Sequence, residues 1–210
     1  MLEGASGLGV RLGLSEYQRD FGTRFAASGG YASWKLERRQ SFREPGNPSW
    51  DALVEHGWRE SLRIVESQRD EFAEEVREAD QLGVELLRIR VVEVPLTPYL
   101  QWELHSLVVR AECGEQIRVV GSDQVASLES EAPLPEILTV GQETVYEIVY
   151  TDGGVLAGAV RYEDEAVALR CKKIFRELFH RGEDIGRFFQ REVVALPPPV
   201  LEFSDVCQSR

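Results

Sequence analysis

Apolar residues run almost unbroken from residue 84 to 94, as Val-Glu-Leu-Leu-Arg-Ile-Arg-Val-Val-Glu-Val. A β-branched and aliphatic run of that length predicts a central strand covered on both faces. Arg88 and Arg90 lie two apart and so share one face of it. Pro95 and Pro98 end the strand, and Thr97-Pro98 supplies an N-cap followed by proline at the first helical position. Leu100, Leu104, Leu107, Val108 and Ala111 recur at helical spacing up to Gly114, which predicts a helix over 98–112. Val91 and Leu104 are expected in the core. Residues 116–120 read as a short strand, and Ser122-Asp123 opens a turn or a helical start.

The flanks repeat this alternation. Leu12, Leu14, Tyr17, Phe21 and Phe25 suggest a short helix with Ser15 as its N-cap. Tyr31, Ser33 and Lys35 alternate with Ala32, Trp34 and Leu36, a period of two that predicts a strand over 31–37. Two apolar stripes at helical spacing cover 49–83, interrupted at Gly57 and closed by Gly83. Strands are expected over 136–140 and 143–151. Asp152-Gly153-Gly154 then turns the chain into a strand over 155–162. A helix over 163–180 buries Val167, Cys171, Ile174, Phe175 and Leu178.

Strand–helix–strand alternation implies a parallel core, and the late hairpin adds antiparallel strands. The expected fold is α/β: a three-layer, mixed β-sheet with helices on both faces and a C-terminal hairpin-helix. The domain is placed at 31–181, between an N-terminal extension (1–30) and a C-terminal extension (182–210).

Composition narrows the function. A chain of 210 residues with 43% hydrophobic content carries its own core. Its 24 basic and 36 acidic residues give a formal charge of -12, a field that opposes direct binding to nucleic acid or an anionic membrane. Cys113, Cys171 and Cys207 are odd in number and widely spaced. They are read as reduced thiols of a cytoplasmic protein rather than a disulfide frame or a zinc site. No apolar run approaches the ~20 residues of a membrane span.

Complete catalytic sets are missing. No Gly-x-Ser-x-Gly occurs, and His56 and His180 stand before or near glycine at helix ends, where capping explains them. Glu103 and His105 point in different directions on one helix, so no metal site is expected. The Gly4-to-Gly9 stretch lacks both the Lys-Ser/Thr of a P-loop and a preceding strand. No cofactor is expected.

One polar cluster remains: Arg88, Arg90, Glu103, His105, Glu115 and Arg118, with Tyr99 beside them. Arginine inside an apolar strand is costly unless paired. Arg90 or Arg118 is therefore expected to pair with Glu103 or Glu115. A closed network would be structural. An open one at the C-terminal strand edge would bind a small anionic ligand.

The same block carries a resemblance. Residues 31–38, Tyr-Ala-Ser-Trp-Lys-Leu-Glu-Arg, resemble the strand that opens an uncharacterised, mostly actinobacterial family, domain of unknown function 6879. Residues 89–99, Ile-Arg-Val-Val-Glu-Val-Pro-Leu-Thr-Pro-Tyr, are similar to its hallmark. Trp102 to His105 and Ala111 to Arg118 are similar to two further segments. The resemblance covers residues 31–180. The chain departs from it where Val119-Val120-Gly121-Ser122 stands in place of Trp-Leu-Pro-Arg. The resemblance implies no established activity. It implies a neighbouring helix-turn-helix regulator and a likeness to catalytically silent phospholipase-D-like half-domains. In this chain no His has Lys two residues later. The expectation is a non-enzymatic regulatory or protein-interaction domain with a protein partner. The alternatives are a small-anion sensor and a pathway-specific enzyme built on Arg90, Glu103 and Arg118. Oligomeric state is not legible.

Overall fold

Three parallel strands sit at the centre: β2 (Ser33–Glu37), β3 (Leu86–Val92) and β4 (Gln116–Gly121). The structure, a computed structural model, describes residues 1–2, 9–130 and 132–201. Antiparallel strands complete one mixed sheet: β1 (Val10–Gly13), β5 (Ile137–Val140), β6 (Thr144–Tyr150), β7 (Leu156–Glu163) and β8 (Glu183–Asp184). Among the described residues the order is β1-β7-β6-β5-β2-β3-β4-β8. The molecule is thus α/β with a mixed sheet, as the alternation of patterns implied.

The crossover from β2 to β3 holds three helices: α2 (Pro48–Glu55), α3 (Trp58–Ser67) and α4 (Arg69–Gln81). Asn47 caps α2 through its side-chain oxygen, which accepts from the backbone N–H of Ser49 and Trp50. Gly57, at φ +87°, makes the first break in what reads as one helical stretch. The crossover from β3 to β4 is α5 (Pro98–Glu112), capped by the Thr97 hydroxyl. Val91 and Leu104 are both fully buried.

Parity decides which residues meet which helices. Leu87, Ile89 and Val91 face Cys171, Phe175 and Leu178 of α7 (Glu165–Arg181). Arg88, Arg90 and Val92 face the other way, beneath α5. On that second face α1 (Leu14–Ala26) covers Tyr146, and α8 (Ile185–Glu192) packs Ile185 and Phe188 against Leu104 and Val119. The short α6 (Ser122–Val125) places Val125 on the α7 side.

Several expectations need adjustment. The first helix begins at Leu14 with Gly13, not Ser15, as its N-cap; the Gly13 N–H donates to Glu16 Oε2 at 3.0 Å. The segments placed outside the domain, 1–30 and 182–210, supply β1, α1, β8 and α8 to the same sheet and its covering layer. β1 lies so close to β7 that a Cβ on Gly158 would meet the Leu12 carbonyl oxygen at 2.1 Å. Of the Gly4-to-Gly9 stretch only Gly9 is described, and Cys207 lies outside the described residues. Cys171 is buried and Cys113 half-buried.

Candidate functional site

The parallel register sets Lys35 beside Arg88 and Glu37 beside Arg90. All four share one sheet face, so an apolar sheet carries a band of charge at its centre. Arg88 donates from Nε to Glu115 Oε1 at 2.6 Å and from Nη1 to Glu37 Oε2 at 2.9 Å. Lys35 closes the band, with Nζ 2.6 Å from Glu37 Oε1. Arg90 has no solvent exposure. Its Nε donates to Glu103 Oε2 at 2.6 Å, and its Nη1 donates to the carbonyls of Glu37 and Val91 at 3.2 Å each. Its Nη2 has no partner among the described residues. The guanidinium lies over the Phe42 ring, 5.9 Å from the centroid.

Tyr99, one turn before Glu103 on α5, joins the same network. Its hydroxyl lies 2.6 Å from Glu44 Oε1 and 3.1 Å from Glu103 Oε1. Burial pushes the Glu103 carboxyl above its ordinary range, with Arg90 opposing. The tyrosine hydroxyl has one hydrogen to share between the Glu44 and Glu103 carboxyls. Burial works against the charge of Glu37 too, but Arg88, Lys35 and Arg90 outweigh it and hold that carboxyl below its usual range.

Two of the sequence candidates lie elsewhere. Arg118 pairs with Ile89 across β3 and β4, so it projects on the α7 face, opposite to Arg88 and Arg90. There it is partly exposed, 3.4 Å from Asp184 Oδ2 and over the Phe179 ring. The expected Arg118 pairing with Glu103 or Glu115 is not formed. His105 is turned away from Glu103 and packs edge-on between Trp58 and Phe189, at centroid distances of 4.9 and 4.7 Å. Burial lowers its pKa, and Nδ1 lies 2.8 Å from the Gln101 carbonyl.

Sequence reading missed Lys35, Glu37, Glu44 and Glu136. Lys35 and Glu37 show the same two-residue spacing as Arg88 and Arg90, which was the available signal. Glu136 follows from the antiparallel register, one step beyond the Leu36–Ile137 pair. Its Oε1 accepts from the backbone N–H of Arg38 and Arg39 at 2.8 and 2.6 Å, while Oε2 is buried without a partner among the described residues. Burial, then the charge of Glu37, pushes its pKa up to about 7.

Three hollows surround this network. A cavity of about 170 Å³ under α5 is lined by Arg88 and Glu103, with Lys35 and Arg110. A groove of about 470 Å³ runs between Tyr17 and Phe21 of α1 and Glu75 and Glu78 of α4, over Lys35 and Arg88. A third, of about 350 Å³, opens beyond the C-terminal ends of β2 and β3, between Arg39, Phe42, Trp50, Tyr99 and the Gly153–Gly154 turn. Arg39 is exposed there and lies over the Phe42 and Tyr150 rings, at 5.8 and 5.1 Å. It makes no ion pair among the described residues. Of the sequence candidates, Tyr99 lines this third hollow.

No described group of three or more His, Cys, Asp and Glu side chains is arranged to hold a metal ion. Burial pushes the Cys171 thiol up to about 11, away from a reactive thiolate. No described helix is long and apolar enough to cross a membrane.

Comparison with known proteins adds the following. No curated protein matches the chain. Among solved structures, the archaeal chromatin protein TrmBL2, reported to show a novel mode of DNA binding, is similar with a TM-score of 0.41 and 13% identity. The match covers 84% of this chain and 53% of that one, so this chain spans about half the length of TrmBL2. A likeness at that level carries no argument about function. A family model, "Domain of unknown function (DUF6879)", matches residues 19–190, and the chain belongs to that family.

Proposed function

We propose that the domain is a non-enzymatic regulatory module that takes a small anionic ligand at the C-terminal strand edge and acts through a protein partner such as a helix-turn-helix regulator. The observation that carries the reading is Arg39. The arginines of the central band are neutralised by Glu37, Glu103 and Glu115. Arg39 instead sits in the third hollow on two aromatic rings, with its charge unpaired. An exposed guanidinium stacked on rings, beside glycine backbone, suits a carboxylate or phosphate on a planar body. Ligands of open α/β sheets bind beyond the carboxyl ends of the parallel strands, where this hollow lies.

An enzymatic reading has less support. His105 is packed between two rings without a carboxylate partner, and among the described residues no Ser or Cys side chain hydrogen-bonds a His, Asp or Glu side chain.

The test is thermal unfolding of the purified protein with a panel of small carboxylates and phosphates. A ligand at ten times its Kd should add about 1.4 kcal/mol of stability, and Arg39→Ala should abolish that gain while leaving the unliganded melting temperature within a degree or two. Stabilisation that survives Arg39→Ala, or a panel without effect, overturns the anion site.

A further inference from the structure

The outer face of α7 carries a charge opposite to that of the molecule. The chain has 36 acidic and 24 basic residues, yet Arg170, Lys173, Arg176 and Arg181 are exposed on one helix face. Glu177 is the one carboxylate among them, and Glu165, at the first turn, accepts from Gln142. With Val167, Cys171, Phe175 and Leu178 buried, residues 169, 170, 173, 176, 177, 180 and 181 fall on the solvent arc. The side chains of Lys173, Arg176 and Arg181 make no ion pair or hydrogen bond among the described residues. On the helices of the β2–β3 and β3–β4 crossovers, by contrast, Arg63 is paired to Glu60, Arg69 to Glu66 and Arg110 to Glu75. Leu169 is 53% exposed at the edge of the arc. A hollow of about 320 Å³ lies alongside, lined by Met1, Arg170, Lys173, Ile174 and Glu177.

Basic charge with an apolar anchor and an apolar dent is the complement of an acidic amphipathic segment. We infer that this face docks such a segment of a partner protein, with carboxylates on Lys173, Arg176 and Arg181 and an apolar side chain in the dent beside Ile174. From residue 169 to 181 the helix offers ~18 Å, about the length of three turns of a partner helix. A long polyanion is less suited, because a duplex extending past α7 meets the field of a molecule at -12. The inference deepens the protein-partner half of the proposed function and is independent of Arg39.

The experiment uses fluorescence anisotropy with a synthetic amphipathic helical peptide of about 20 residues, one face rich in Glu and carrying two Leu, in ~50 mM salt. Binding is expected, weakening severalfold at ~200 mM salt. The variant Lys173→Glu/Arg176→Glu/Arg181→Glu should weaken it ~10-fold or more, and the milder Lys173→Gln/Arg176→Gln/Arg181→Gln severalfold. Leu169→Ser should weaken it as well. Arg39→Ala should leave it unchanged, which separates failure here from failure of the anion site. All variants alter exposed side chains, and an unchanged circular dichroism spectrum verifies the fold. The inference is overturned if the peptide does not bind, or if binding survives the charge reversal. It is also overturned if a duplex of about 20 base pairs binds more tightly than the peptide and is lost in the same variant.

Discussion

Arg90 must keep its proton at any pH the protein survives, so its surroundings must carry the charge permanently. Glu103 supplies the counter-charge at 2.6 Å, with two backbone carbonyls. Replacing Arg90 by Ala leaves the Glu103 carboxyl buried without its cation, and the loss should be ~3–5 kcal/mol in denaturant unfolding. Arg90→Met combined with Glu103→Leu should recover most of that loss, because both desolvation costs disappear together. A double variant as unstable as Arg90→Ala would refute the pairing as the cause. Glu136 makes a pH prediction of the opposite kind from most carboxylates. Its folded pKa is raised from 4.5 to about 7 by burial and by Glu37. Between those values the folded chain holds a proton that the unfolded chain has released. Its contribution is therefore complete below the unfolded pKa and is lost as pH rises through 7, by at most about 3 kcal/mol. Glu136→Gln keeps an acceptor for the Arg38 and Arg39 N–H groups and removes the titration. Its stability relative to the parent should climb between pH 5 and pH 8, measured by urea unfolding. A difference that stays flat across that range would rule out the titration.

At the scale of elements, α1 is what closes the antiparallel half of the sheet. Tyr17, Phe21 and Phe25 pack on Tyr146, which is fully buried, and Asp20 receives hydrogen bonds from Tyr146 and Arg161 at 2.6 Å each. A chain starting at residue 27 exposes that surface and leaves Arg161 without Asp20. Its unfolding free energy should fall by ~3 kcal/mol, the worth of three half-buried aromatic side chains. An unchanged denaturation midpoint would show that α1 is dispensable. The reach of sequence reading differs from element to element for physical reasons. β3 and α5 were legible because an aliphatic run, a capping threonine and a stopping glycine agree. α2, α3 and α4 read as one helical stretch with a break because stripes persist across Gly57, while the break at Gln68 leaves no glycine or proline to mark it. β1 and β8, of four and two residues, are held by pairing to β7 and β4 rather than by any pattern of their own. α8 lies in a stretch whose apolar residues find their partners on α5 and β4, far away in sequence.

For the whole molecule, a summed charge of -12 says nothing about where the sign reverses, and the basic face of α7 becomes visible only once its buried side is known. The same holds for the candidate site. That Arg90 needed a carboxylate was legible from its apolar neighbours. That Arg88 takes Glu115 and Glu37, while Arg118 lies on the far side of the sheet, depends on a strand alignment no local pattern encodes. That alignment has a consequence for assembly. Lys35, Glu37, Arg88 and Arg90 all occupy positions of one parity, and α7 lies on the other side. Were β2 laid down one residue out of step, Lys35 and Glu37 would be thrust against Phe175 and Leu178, and Arg88 and Arg90 would be stranded beside Trp34 and Leu36. An oily sheet tolerates such a slip at modest cost, but this one is keyed like a lock, and the wrong alignment is rejected by the charges it strands.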